Sequence, residues 1–381
     1  MQNFVSLPPL SLYVHLPWCV RKCPYCDFNS HEAREKIPEP DYVAALLRDL
    51  EQDLPRVWGR LVYSIFLGGG TPSLFAPESI DSLLSGIRAR LPLDQNIEIT
   101  LEANPGTVEL ERFKGFRQAG INRLSIGIQS FDPEKLKALG RIHGREEALR
   151  AAAAAHAAGF DNFNLDLMFG LPQQTVEESL ADIRTATGFH PGHLSVYQLT
   201  LEPNTLFHAR PPVLPDDDVI WEMQTRLLAE LAAADYRQYE VSAYAREGYE
   251  CRHNLNYWQF GDYLGIGAGA HGKITDRTGI TRLWKVKQPN EYLRTAGMAA
   301  SIGGAQKLTH AQTVTEFMMN AMRLTRGIPS RLFAERTGLP ISVATKPLKE
   351  AEDRGLITWD ATSLRPTDTG MSFLNDLVAL F

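Results

Sequence analysis

Three of the four cysteines in this chain, Cys19, Cys23 and Cys26, lie within eight residues, spaced Cys-x3-Cys-x2-Cys in YVHLPWCVRKCPYCDF. The fourth, Cys251, is remote in sequence. Thiols clustered in this way suggest a metal site, not a disulfide framework. Thiolates suit iron–sulfur clusters, which usually take four of them. Three in one short loop leave one iron without a protein thiolate, and Cys251 lies too far along the chain to be assigned to it. A zinc knuckle completed by His15 or His31 is the competing reading. The strand-like run before the loop and the barrel pattern after it favour the cluster.

A glycine turn, Gly68-Gly69-Gly70-Thr71-Pro72, follows the next strand-like run. Its bare backbone allows main-chain groups to approach a ligand closely. Glu102 and Gln129 stand at the ends of later strand-like runs and offer polar contacts. Arg141 lies in GRIHGREE and Asp166 in FNLDLMFGLPQQT. Each also has a plain reading, Arg141 in a surface salt bridge and Asp166 as a strand-end cap.

These residues need a scaffold that gathers them. Strand-like runs at Leu12–Leu16, Ser64–Leu67, Glu98–Glu102, Leu124–Ile128, Asn164–Met168 and Leu194–Leu199 alternate with helical patterns. The helical stretches include Asp41–Asp53, Pro77–Arg90, Glu109–Ala119, Glu146–Ala158 and Val176–Thr187, several of them ending near a glycine. Such alternation implies parallel β/α units. Six units predict an α/β fold with a partial (β/α)6 TIM-like barrel, open instead of closed. Functional groups in barrels gather at the C-terminal ends of the strands, where Cys19, the glycine turn, Glu102, Gln129 and Asp166 all fall.

Beyond about residue 210 the pattern changes. A helix is expected at Val219–Ala234 and a strand at Gln238–Tyr244, followed by the glycine-rich Gly261–Gly272. From Thr313 the order of elements is that of a winged helix: helices at Glu316–Leu324, Arg331–Thr337 and Val343–Arg354, then extended pieces at Ile357–Trp359 and Leu364–Pro366. The expected domains are a barrel at 1–245, a glycine-rich connecting segment at 246–312 and a winged-helix-like module at 313–381.

The 381 residues are 44% apolar and carry a formal charge of −6, enough for a sizeable core and without the basic footprint of a nucleic-acid binder. No apolar run reaches the length of a membrane span. The first residues lack the basic region and cleavage site of a signal peptide. A cytoplasmic protein is expected, with peripheral contact to the inner face of the membrane left open.

The cluster spacing resembles the signature of the radical S-adenosylmethionine superfamily. That resemblance implies a [4Fe–4S] cluster whose open iron chelates S-adenosylmethionine. It also implies a low-potential electron donor as partner. YVHLPWC, GGGTP, LSIGIQSF and NLDLMFGLPQQT further resemble the branch containing the oxygen-independent coproporphyrinogen III oxidases, over the whole barrel. By this likeness Tyr13, Tyr25, Gly69, Gly70, Thr71, Glu102, Gln129, Arg141, Asp166 and Thr200 line the S-adenosylmethionine site. The oxidase holds two molecules of that cofactor.

Two departures point away from the oxidase. It has a further cysteine two residues after the third cluster cysteine, where this chain has Phe28, and it has a longer N-terminal arm. The segment His253-Asn254-Leu255-Asn256-Tyr257-Trp258 instead resembles the HNxxYW motif of the HemW-type haem chaperones, where it is associated with haem binding. A histidine can ligate haem iron, and Tyr257 and Trp258 can pack on a flat macrocycle. Read by its residues alone, the segment is a turn with a buried aromatic pair. Cys251 is a rival iron ligand to His253, whereas His271 reads as a turn cap.

The function implied is haem binding and transfer to acceptor haemoproteins, respiratory enzymes among them. A homodimer is compatible with the sequence. The alternatives are oxidative decarboxylation of coproporphyrinogen III and a radical enzyme acting on haem itself.

Overall fold

A computed structural model describes residues 2–106 and 109–381. Six parallel strands follow one another through the barrel: β1 (Leu10–Leu16), β2 (Val62–Gly69), β3 (Leu93–Ala103), β4 (Arg123–Gln129), β5 (Phe163–Phe169) and β6 (His193–Gln198). All seven residues of β4 are buried, as befits a strand covered on both faces. Helices Glu39–Asp53, Pro77–Arg88, Glu109–Ala119, Arg145–Ala157 and Val176–Thr187 fall where the sequence places them, within two residues. The last begins at a reciprocal cap, in which Thr175 and Glu178 satisfy each other's backbone N–H groups. The alanine run packs directly on the sheet, with Ala148, Ala151, Ala152 and Ala155 wholly buried.

The expected strand near Gln238 is a hairpin of β7 (Arg237–Glu240) and β8 (Ala243–Ala245), attached antiparallel to β6. At the other edge the segment 246–312 adds four strands. β9 (Asp262–Ile266) pairs parallel with β1, and β10 (His271–Asp276), β11 (Gly279–Lys285) and β12 (Ile302–Lys307) continue antiparallel. The sheet order is β12-β11-β10-β9-β1-β2-β3-β4-β5-β6-β8-β7, so the barrel stays open, with β12 and β7 at its ends.

The strand β9 was hidden in a glycine-rich stretch that reads as loop. Its Gly265 lies so close to the neighbouring chain that a Cβ there would sit 1.9 Å from the His271 carbonyl oxygen. Glycine in a strand marks such a close approach.

The C-terminal module has helices His310–Ala321, Arg331–Thr337 and Thr345–Asp353 beside the small antiparallel sheet Ile328–Pro329, Ser363–Pro366 and Ile357–Trp359. Its core, built on Phe317, Phe333 and Leu348, also takes in Phe260 and Ile280 from the added strands. Among the described residues no helix is long and apolar enough to cross a membrane.

The added strands are tied to the barrel by a buried ion cluster. Lys285 Nζ donates to Asp49 and, at 2.7 Å, to Asp53 on helix Glu39–Asp53. Its side chain is 3% exposed. Asp49 also accepts from the Tyr292 hydroxyl (2.7 Å) and the Gly267 N–H (3.1 Å). Removing one member leaves buried charge unpaired. Lys285→Met should therefore destabilise the fold by about 3–5 kcal/mol in urea unfolding, and a loss under about 1 kcal/mol would refute the role given to this tie.

Candidate functional site

β1 runs into the cysteine loop and β2 into the glycine turn. β3 carries Glu102, β4 ends at Gln129, β5 carries Asp166 and β6 carries Tyr197. Their ends enclose a cavity of about 640 Å³. Cys19, Cys23 and Cys26 line it together with Tyr25, Gly69, Gly70, Thr71, Glu102, Gln129, Arg141 and Asp166.

All three loop cysteines are free thiols, half-buried, and each faces a hydrogen-bonding neighbour. Thr71 Oγ1 donates to Cys19 Sγ (3.5 Å), and Arg141 donates to Cys23 Sγ (3.6 Å). Ser30 Oγ lies 3.7 Å from Cys26 Sγ. Burial raises the thiol pKa of Cys19 and Cys26. The histidines of the zinc reading are engaged. His15 Nε2 pairs with the Asn29 carbonyl (2.9 Å), and His31 Nε2 with Asn29 Oδ1 (3.2 Å). Three separate soft thiols around one cavity suit a multi-iron cluster, in which each ligand takes its own iron.

The glycine turn is laced to this loop. Gly70 N–H donates to the Leu16 carbonyl (2.9 Å) and Thr71 N–H to the Trp18 carbonyl (2.7 Å). Space here is closed to side chains. A Cβ on Gly70 would stand 2.5 Å from the Trp18 oxygen, and one on Gly69, at φ +116°, would stand 2.5 Å from the His15 ring. This cradle of bare backbone fits the amino-acid end of a ligand.

Glu102 Oε2 accepts the Gly69 N–H (3.1 Å). Burial, then the nearby Asp166, push its carboxyl pKa up to about 7. A ligand ammonium would restore its charge. Arg141 is no surface residue: its guanidinium donates to Asn104 Oδ1 and the Gly127 carbonyl, both at 2.7 Å, as well as to Cys23. Asp166 accepts from Asn164 (2.7 Å) and Ser125 (3.2 Å), and burial raises its pKa. Gln129 holds a left-handed backbone, φ 70°, at a register shift between β4 and β5. Its side chain accepts from the Tyr197 hydroxyl (2.7 Å). Strained non-glycine backbone of this kind gathers at functional sites. Asn104 and Tyr197 were not singled out from sequence; the signal available was position, one just past β3 and the other near the end of β6.

Three residues line this cavity's neighbour as well as the cavity itself. Phe28, Gly69 and Glu102 also border a second cavity of about 510 Å³. Tyr257, Trp258, Phe260 and Tyr263 supply its aromatic faces, and His271, Lys273, Arg282 and Lys287 its basic groups. Phe28, 61% exposed, is the apolar residue bordering both spaces.

Four residues expected at ligand sites sit elsewhere. Tyr13 borders the second cavity, not the first, and its hydroxyl pairs with His15 Nδ1 (3.0 Å). Thr200 borders neither: β6 ends at Gln198, and the threonine hydroxyl turns outward to Glu202 (2.7 Å). His253 is 1% exposed and lines neither cavity. Both its ring nitrogens are taken, Nδ1 by Ser64 Oγ (2.9 Å) and Nε2 by the Tyr257 hydroxyl (3.0 Å). Burial and Arg123 lower its pKa to about 3. It positions Tyr257 and offers no lone pair to a ligand. Asn254, half-buried on the same short helix, borders neither cavity. The rival Cys251 is wholly buried, its thiol on Glu98 (3.6 Å) and its pKa pushed up to about 12 by burial.

The radical SAM superfamily domain matches residues 13–186, and the HemN C-terminal domain matches residues 308–373. The structure of coproporphyrinogen III oxidase (HemN) from Escherichia coli, a radical SAM enzyme, superimposes with a TM-score of 0.82. The match covers 98% of this chain and 90% of that one at 23% identity, a likeness of fold. Fold and cysteine loop together define a radical SAM protein of this architecture. Membership of that superfamily implies a [4Fe–4S] cluster and S-adenosylmethionine.

Sequence narrows the assignment. The heme chaperone HemW of Escherichia coli K12 is 52% identical over 378 residues, covering 99% of both chains. That of Haemophilus influenzae is 52% identical over 381 residues, covering 99% of this chain and 98% of its own. The Bacillus subtilis protein of the same name is 33% identical, covering 97% and 98%. The chain belongs to the HemW heme chaperone family.

Cys23 lines the first cavity and accepts a hydrogen bond from Arg141 (3.6 Å). Cys23→Ala should abolish the brown absorption of the reconstituted iron–sulfur cluster and leave the far-ultraviolet circular dichroism unchanged. A variant that keeps a full cluster would overturn the ligand set.

Proposed function

We propose that this protein binds haem in the cavity of about 510 Å³ and passes it to acceptor haemoproteins, respiratory enzymes at the membrane among them. One observation carries the proposal. The aromatic half of the segment HNLNYW, Tyr257 and Trp258, walls a ligand-sized cavity that shares Phe28, Gly69 and Glu102 with the cysteine-lined one. A flat, apolar macrocycle with two carboxylates suits such a wall of rings with basic groups beside it.

Cys19, Cys23 and Cys26 would hold the [4Fe–4S] cluster. Gly69, Gly70 and Thr71 would take the methionine end of S-adenosylmethionine, with Glu102, Gln129, Arg141, Asp166 and Tyr25 around it. When bound, this pair supplies one-electron reductive chemistry, fed by a low-potential donor. The residues of the chain do the rest. Arg141 offers positive charge to the cluster ligand Cys23, Glu102 stands ready for a ligand cation, and Phe28 offers an apolar ring to both cavities. In the oxidase branch this last position is a cysteine; here it is phenylalanine, which favours handling haem over oxidising a porphyrinogen.

The test is titration of the full-length protein with ferric haem. The wild type should shift the Soret band, and Tyr257→Ala should weaken binding about tenfold, or roughly 1.4 kcal/mol. Absence of a Soret shift, with carbon dioxide released from coproporphyrinogen III, would overturn the proposal in favour of the oxidase.

A further inference from the structure

We propose that His271 is the side chain that ligates the iron of haem held in the second cavity, with Lys287 as the cation facing a propionate. The inference rests on the haem reading above and goes beyond it by naming the contact that holds the metal.

An iron ligand needs a free lone pair on the cavity wall, and haem proteins draw it from histidine, cysteine, methionine or tyrosine. No cysteine or methionine lines this cavity. The tyrosines are occupied. Tyr13 pairs with His15 (3.0 Å), Tyr257 with His253 (3.0 Å), and Tyr263 with the Arg282 guanidinium. His15 spends its second nitrogen on the Asn29 carbonyl (2.9 Å). His271 is the exception. Its imidazole makes no hydrogen bond among the described residues, it is exposed, and it borders the cavity.

The ring is also held in place. His271 opens β10 opposite Trp284 on β11, and the two rings stack with centroids 6.3 Å apart and planes 24° off parallel. Partial burial, then Arg282 and Lys287, lower its pKa.

The basic groups divide in the same way. Lys273 is committed to Asp262 (2.8 Å) and Arg282 to Glu316 (2.8 Å). Lys287 makes no ion pair among the described residues and is exposed at the same wall. An ammonium has three donors and no lone pair, so Lys287 can hold a carboxylate and cannot hold iron. A ligand on an exposed strand end, not sealed in the core like His253, is one that a recipient protein can displace.

The experiment compares wild type, His271→Ala and His271→Met, each full-length, by optical and electron paramagnetic resonance titration with ferric haem. His271→Ala should bind at least about tenfold more weakly and lose the low-spin or Soret signature of the wild type, and added imidazole should restore it. His271→Met should give a third, distinct spectrum, which a merely structural role would not produce. If His271→Ala matches the wild type in spectrum and affinity, the assignment is wrong while the haem reading stands. If the wild type itself gives no shift, the haem reading fails and the assignment falls with it. Should His271→Ala lose its circular dichroism, His271→Met decides: a wild-type spectrum refutes the assignment and a shifted one supports it.

Discussion

The arrangement of two adjoining cavities depends on one ladder of hydrogen bonds, the parallel pairing of Asp262–Ile266 with Leu10–Leu16. Leu10 stands opposite Asp262 and Val14 opposite Ile266, while the other edge of the same strand pairs with Val62–Gly69. Three loops that carry chemistry therefore leave one end of three adjacent strands. Backbone contacts beyond the ladder fix them to one another. The Tyr42 hydroxyl donates to the His15 carbonyl and accepts from the Ala268 N–H. The Asn29 amide donates to the carbonyls of Ala268 and Lys287, both at 2.9 Å. Gly267 has φ +109° and a Cβ there would stand 2.4 Å from the His15 oxygen, so only glycine permits the approach. This seam brings the loop that ends at His271 beside the cysteine loop.

A second constraint runs through the barrel interior. Asp166 accepts from the Asn164 side-chain amide, whose Oδ1 meets His193 Nδ1 (2.7 Å). His193 reaches the Tyr239 hydroxyl (2.8 Å), which accepts the Cys251 N–H (3.2 Å). Glu98 then takes the Cys251 thiol and the N–H of His253. Buried polar groups are costly alone and acceptable only when satisfied in a network. This network gives HNLNYW a structural explanation for its first residue: His253 closes the chain and orients Tyr257, while the aromatic residues meet the cavity. The motif is thus half scaffold and half wall.

Much of this was legible from sequence and some was not, for stateable reasons. The six β/α units announced themselves because buried parallel strands and amphipathic helices have strong, different patterns. The cysteine loop and glycine turn were visible because few other roles need three thiols or three glycines so close together. β9 was missed because the glycines that let its backbone pack closely are the residues that read as loop. Arg141 kept its surface salt-bridge reading open and Asp166 its strand-end cap, since one sequence does not say what lies across the barrel. His253 drew attention as a ligand because its identity is visible and its two hydrogen-bond partners are not. His271 was passed over as a turn cap for the same reason: its freedom is a property of surroundings assembled from distant parts of the chain.

On the proposed function, haem would occupy the cavity that shares Phe28, Gly69 and Glu102 with the cysteine-lined one. Relaxation of the reduced cluster's electron paramagnetic resonance signal tests it directly. Loading the reconstituted protein with cobalt(II) protoporphyrin, which stays paramagnetic under reducing conditions, should speed the cluster's spin relaxation markedly, and loading with diamagnetic zinc protoporphyrin should not. Equal relaxation with both, in protein that has bound both, would contradict the account by showing that the macrocycle sits far from the cysteine loop.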